Sequence, residues 1–286
     1  MGDFLEDTAC DKVTLQLAID CLSKNNTDTA LELFKGLSER ADTITIFSED
    51  EKSRYFDFNE PFEEVLYKYR TPDHKEVRYA GWMFLDVYYL YGSLLLKEKR
   101  YEEAAEALQK ALSWNPAHAG TYFELAEIEK ARDEMEEFLS LTKKASDFSF
   151  TKENVARSLR NFGYYFVEKE EWEAAKACYR LSLLYDAKAE NAKKELSAIR
   201  KKGKGEEKEL SGEELKALSE QYGFPMGVQL SIPGIATTLG TREYEAGNYP
   251  QAVYFLGIVD AFVNLPQVKT MLKECRKRQK DGSKKV

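Results

Sequence analysis

Apolar side chains along this chain recur mainly at intervals of three and four residues, the period of a helix with one buried face. Tyr88, Tyr91 and Leu95 form one such stripe around Gly92, and Ala104, Leu108 and Ala111 form the next. Pro116 ends the second stripe, because a residue without a backbone N–H cannot continue a helix. At four places a small residue is followed twelve positions later by another: Ala18 and Ala30, Gly92 and Ala104, Gly163 and Ala175, Gly240 and Ala252. A partial copy, Ala126 and Phe138, falls 34 residues after Gly92 and Ala104. Two antiparallel helices that cross closely need small side chains at the crossing, so this spacing predicts a series of helix pairs.

The remaining copies are less regular. The one from about 119 to 150 keeps Tyr122, Leu125, Ala126 and Ala145 but has Phe138 at its second crossing and no closing proline. The next keeps Leu159, Phe162, Gly163, Phe166, Ala175 and Tyr179, and a helix over 188–202 follows it. Gly240, Ala252 and Leu256 mark another over 239–264, turned by Gly247-Asn248. Leu17, Ala18, Ala30, Phe34 and Leu37 mark an N-terminal pair with the character of a capping repeat. Two insertions interrupt the series. β-Prone residues at 43–47 and 54–58 around a polar tip predict a short hairpin, followed by a helix over 60–70. A charged stretch over 201–209 leads to a helix capped by Ser211 and a loop over 223–234. The predicted organisation is a helical pair at 1–42, an insertion at 43–78, core repeats at 79–202, a linker with a short helix and loop at 203–234, and a last repeat with a basic tail at 235–286.

The copy from Leu85 to Pro116 resembles the tetratricopeptide repeat, in which an aromatic, a Leu-Gly pair and a Tyr are followed by Ala, Phe, Ala and a terminal Pro. Tyr91 stands where the family has Leu, and Leu108 where it has Phe. Tyr101-Glu102-Glu103-Ala104 and Trp172-Glu173-Ala174-Ala175 are similar to the family's second-helix starts. The resemblance implies an all-α fold, a tetratricopeptide-type superhelix or α-solenoid of helix-turn-helix units. It also implies a non-catalytic adaptor or scaffold that holds a protein or peptide in the inner groove. Some tetratricopeptide domains clamp a partner's C-terminal carboxylate with Lys and Asn on their first helices. Tyr89 and Ser93 occupy that region here, so that clamp is not reproduced.

Residues one step round each first helix from the apolar stripe are the candidates to line such a groove. They are Asp86, Tyr89, Ser93 and Leu96; Phe123, Glu127 and Lys130; and Arg157, Arg160, Tyr164 and Val167. Asn161, beside the two arginines, joins them as a carboxylate-binding candidate. Arg157 and Arg160 are expected to project together from an exposed face, and aromatics interleaved with arginines suit a partner segment bearing acidic and apolar groups. The plainer reading packs Tyr89, Phe123 and Tyr164 against neighbouring repeats.

Composition narrows the alternatives. With 43% hydrophobic residues among 286, the chain can build a packed interior, and its net charge of −8 argues against nucleic acid as the main ligand. Four cysteines without Cys-x-x-Cys spacing suggest neither a zinc site nor disulfides. His74 and His118 share no ligand spacing and read as surface residues, so no metal is expected. Gly203-Lys204-Gly205 lacks the strand and the Lys-Ser/Thr ending of a phosphate loop, and neither Gly-x-Ser-x-Gly nor His-Glu-x-x-His occurs. Paired carboxylates such as Glu102-Glu103 read as solvated helix faces. No catalytic residue and no cofactor is therefore expected. With no leader pattern and no apolar run of about 18 residues, no membrane contact is expected and a cytoplasmic location is predicted. The run Arg276-Lys277-Arg278-Gln279-Lys280 reads as a solvated helix end. A structural protein assembling with copies of itself is the alternative to a partner-binding module, with an enzyme or small-molecule sensor behind both.

Overall fold

The computed structural model of the chain describes residues 2–72, 75–203 and 210–283. In order, the elements are α1 (Gly2–Ser23), α2 (Thr27–Asp42), β1 (Ser53–Phe56), α3 (Pro61–Arg70), β2 (Glu76–Tyr79), α4 (Phe84–Lys97) and α5 (Tyr101–Trp114). They continue with α6 (Ala119–Ala131), α7 (Met135–Asp147), α8 (Lys152–Glu168), α9 (Trp172–Tyr185), α10 (Glu190–Lys201), α11 (Gly212–Tyr222), α12 (Ser231–Glu245), α13 (Tyr249–Phe262) and α14 (Pro266–Ser283). These form an all-α solenoid with one small pair of strands, folded as two compact units, Met1–Leu141 and Thr142–Val286.

Helices pair where the small residues predict. In the first unit α1 packs on α2 and α4 on α5, and in the second α8 packs on α9 and α12 on α13. A methyl group on Gly92 would meet Leu108 Cγ at 2.7 Å, one on Gly240 would meet Leu256 at 2.7 Å, and one on Gly163 would meet the Tyr179 ring at 3.0 Å. The closest side chain thus lies one turn beyond the small partner named from the sequence. Helical side chains lean toward the N-terminus of their own helix, so Leu108, Tyr179 and Leu256 tilt back over the glycine. Ala18, Ala30, Ala104, Ala175 and Ala252 are fully buried at the same crossings. Leu17 is a correction, being 51% exposed while Leu15 and Ala18 turn inward.

The turn within each pair is built the same way five times. Asn25, Lys99, Asp133, Glu170 and Gly247 have φ of 58°, 61°, 62°, 59° and 78°, and the residue after each bonds back to a carbonyl five positions earlier. Those bonds are Asn26 N–H to Cys21 O, Arg100 to Leu95, Glu134 to Glu129, Glu171 to Phe166 and Asn248 to Glu243, at 2.8–2.9 Å. A left-handed residue closing a helix in this way satisfies carbonyls that the helix end would otherwise leave bare.

The hairpin expected between 43 and 58 does not form. β1 instead pairs in parallel with β2, Ser53 opposite Glu76 and Phe56 opposite Tyr79. Parallel strands need a crossover, and α3 supplies it. Phe56 of β1 meets Tyr67 of α3 with ring centroids 4.8 Å apart. The insertion joins the first repeat through aromatic contacts. Phe47 meets Phe84 edge-on at 5.9 Å, and Phe84 stacks on Trp114 at 3.7 Å. α10 and the Ser211-capped α11 lie where the sequence predicts them, and α11 carries a capping box with Glu214.

Candidate functional site

In the first unit α4 packs against α6 as well as α5, so the first helices of successive pairs lie side by side. Leu85, Val87, Tyr88, Leu94 and Leu95 point into the core, which leaves Asp86, Tyr89, Ser93 and Leu96 half-buried on the adjoining face of α4. Asp86 Oδ1 accepts a hydrogen bond from Asn59 Nδ2 at 2.8 Å. The Tyr89 ring meets His118 edge-on with centroids 4.7 Å apart. A methyl group at Gly120 would come within 3.2 Å of the Tyr89 hydroxyl, so glycine there leaves room for that ring. Ser93 Oγ is buried and has no hydrogen-bond partner among the described residues. On α6, Glu127 and Lys130 form an ion pair of 3.2 Å, each about a third exposed.

Two of the candidates belong to the core. Phe123 is fully buried, as the plainer reading of the aromatics allows, and is not available to line a groove. Asn161 is 7% exposed, and its Nδ2 donates to Thr142 Oγ1 at 3.4 Å. Arg160 needs correction as well. Its side chain is 18% exposed, and Nη1 lies 3.4 Å from Asp186 Oδ2 at the C-terminal end of α9. Burial lowers its pKa, the Asp186 carboxylate opposes that, and the nearby charge of Arg157 adds to the lowering. The two arginines are therefore close but not equivalent: Arg160 is held inward, while Arg157 and Tyr164 are half-buried on the same helix, α8.

Sequence reasoning missed a polar cluster that ties the insertion to the first repeat. Glu63 Oε2 accepts from the N–H groups of Asn59 (2.9 Å) and Glu60 (3.0 Å) and from Asn115 Nδ2 (2.8 Å). Burial pushes its carboxyl up to about 7 despite these bonds. Asp57 Oδ2 accepts from Leu85 N–H at 2.8 Å, and burial pushes that carboxyl up to about 6. The Glu60-Pro61-Phe62-Glu63 start of α3 is the signal that could have shown it, since acidic residues there cap a helix. His118 was also misread as a surface residue. It caps α6, Nδ1 accepting from Thr121 N–H at 3.2 Å, and burial pulls the imidazole down to about 4, so it is neutral. His74 lies outside the described residues.

Residues 85–118, which hold α4, α5 and the turn into α6, match the sequence profile of the tetratricopeptide repeat. Residues 85–118 are a tetratricopeptide repeat. Among similar solved structures, the MamA protein is 12% identical, with 74% of this chain and 89% of that chain covered and a TM-score of 0.45. A thermophilic tetratricopeptide repeat protein of Thermus thermophilus is 14% identical over 93% of this chain and 98% of its own, with a TM-score of 0.38. One from Parabacteroides merdae is 10% identical over the same shares, also with a TM-score of 0.38. No curated protein matches the sequence. Tetratricopeptide repeats, as a family, are protein-interaction scaffolds. Among the described residues no helix is long and apolar enough to cross a membrane, and no group of His, Cys, Asp and Glu could hold a metal ion.

Proposed function

We propose that this tetratricopeptide repeat protein is a non-catalytic scaffold that holds a protein or peptide segment against the half-buried side chains of its first helices. The observation that carries this reading is the face shared by α4 and α6. Asp86, Tyr89, Ser93 and Leu96 line it beside the Glu127–Lys130 pair. Tyr89, held by His118, offers a rigid apolar surface with a polar tip. On α8 the same step round the helix carries Arg157 and Tyr164, which suit an acidic side chain flanked by an apolar one.

The test begins with a partner captured from the native extract and then purified. Its affinity is measured for wild type, Tyr89→Ala and Arg157→Glu, each shown to be folded by circular dichroism. Loss of a central anchor is expected to weaken binding by about tenfold or more. Arg160 is left intact, because changing it would also release Asp186. Wild-type affinity in both variants would place the partner elsewhere on the protein.

A further inference from the structure

Charge is divided unevenly along the chain. Met1–Leu141 holds 30 acidic against 16 basic residues, a net −14, whereas Thr142–Val286 holds 20 against 26, a net +6. Much of that positive charge sits on α14. Val268, Leu272 and Cys275 are buried on the face by which α14 packs on α13. Lys269, Lys273, Arg276, Lys277 and Lys280 recur at the same intervals on the outer side, and all five are exposed. They line an open trough of about 1230 Å³ in which Asp260 and Glu274 are the acidic members, and Glu274 is already engaged by Arg278 at 3.5 Å. A rise of about 1.5 Å per residue sets Lys269, Lys273 and Lys277 roughly 6 Å apart, the interval at which another helix presents carboxylates one turn apart.

A complementary surface exists in the same chain. The turn from α6 into α7 exposes Asp133, Glu134, Glu136 and Glu137 within five residues. The adjacent cation, Arg132, is held by Glu129 at 3.0 Å and Glu102 at 3.4 Å. We propose that the basic trough of α14 docks on the acidic 133–137 turn of a second copy of this chain. A nucleic acid or an anionic membrane would also be drawn to the trough, but the chain's net charge of −8 repels an extended polyanion along its whole length, whereas a second copy meets the trough with one local patch of four carboxylates. The two patches differ, so the contact is heterologous. Every docked copy keeps one patch for the next, so association grows with concentration until a ring closes or an open chain extends. This contact is independent of the first-helix face.

Sedimentation velocity on the full chain over a wide concentration range, at about 20 mM and about 500 mM salt, tests the proposal. At low salt the weight-average mass is expected to exceed the 32.9 kDa of one chain and to rise with concentration, and at high salt to return to it. Lys273→Gln/Lys277→Gln and Glu136→Gln/Glu137→Gln alter only exposed positions, so both variants are expected to keep the wild-type circular dichroism. Each alone is expected to abolish the growth. Mixed in equal amounts they are expected to form pairs and nothing larger, because only one intact trough and one intact turn can meet. A chain that stays monomeric at low salt, or association that survives the lysine substitutions, overturns the proposal. So does a wild-type monomer that binds phosphatidylserine vesicles or a single-stranded oligonucleotide through those lysines.

Discussion

Glu170 adopts φ 59° in the turn between α8 and α9, a left-handed conformation that a Cβ atom disfavours. Gly247 holds the same place between α12 and α13 without that penalty. Glu170→Gly is therefore expected to stabilise the second unit by about 0.5–1 kcal/mol, read from the urea midpoint. A lower midpoint would mean that the glutamate side chain matters more than its backbone. Glu63 couples stability to pH. Its folded carboxyl titrates near 7 instead of 4.5, so folding favours the protonated form, and that stability is complete below about pH 4.5 and lost as pH rises through 7. Asp57, raised from 3.8 to about 6, acts with the same sign. His118 acts against them. Its pKa falls from 6.5 to about 4, so its contribution is present above pH 6.5 and lost as pH falls through 4. The His118 slope offsets only part of the other two in the wild type, and a variant isolates the share of Glu63. Between pH 4.5 and pH 8, Glu63→Gln should gain stability relative to wild type by on the order of 3 kcal/mol. A difference that does not change with pH would show that Glu63 titrates normally.

Pairing of elements depends on a few tight crossings. Gly163→Leu would drive four carbon atoms into the Tyr179 ring, which already lies 3.0 Å from where a Cβ would sit. It is expected to lower the stability of the second unit by about 2–3 kcal/mol. Gly234→Ala in α12 of the same unit meets nothing within 4 Å, so it is expected to raise stability by about 0.5–1 kcal/mol through helix propensity. Thermal melts that shifted alike for both would contradict the crossing. Gly163 was legible in the sequence because a close crossing leaves a spacing behind, whereas Gly234, expected at the end of a loop over 223–234, lies in α12. The strand pairing was not legible: four β-prone residues do not name their partner, and here it lay beyond α3 instead of across the nearest polar tip. Nor did periodicity place every candidate side chain. Phe123 sits one step from the stripe of α6, where a large apolar side chain can turn inward, as it does. Arg160 looked like half of an exposed pair because Asp186, 26 residues on, could not be placed opposite it from the sequence.

At the scale of the whole molecule, the residues that could hold a partner lie on first helices, and the second helices mainly complete the pairs. Ala104, Ala107, Leu108 and Ala111 of α5 and Ala174 to Tyr179 of α9 face inward. Two kinds of surface are thereby distinguished, the half-buried first-helix faces proposed for a partner segment and the charged patches proposed for contact between copies. Hydrogen exchange, followed by mass spectrometry on the chain alone and bound to its purified partner, distinguishes the first-helix faces from every other surface most directly. Slowed exchange in α4 and α6, or in α8, with α5 and α9 unchanged, is the result expected. Protection confined to α5, α9 or the β1–β2 insertion would contradict the claim that this protein holds its partner on its first helices.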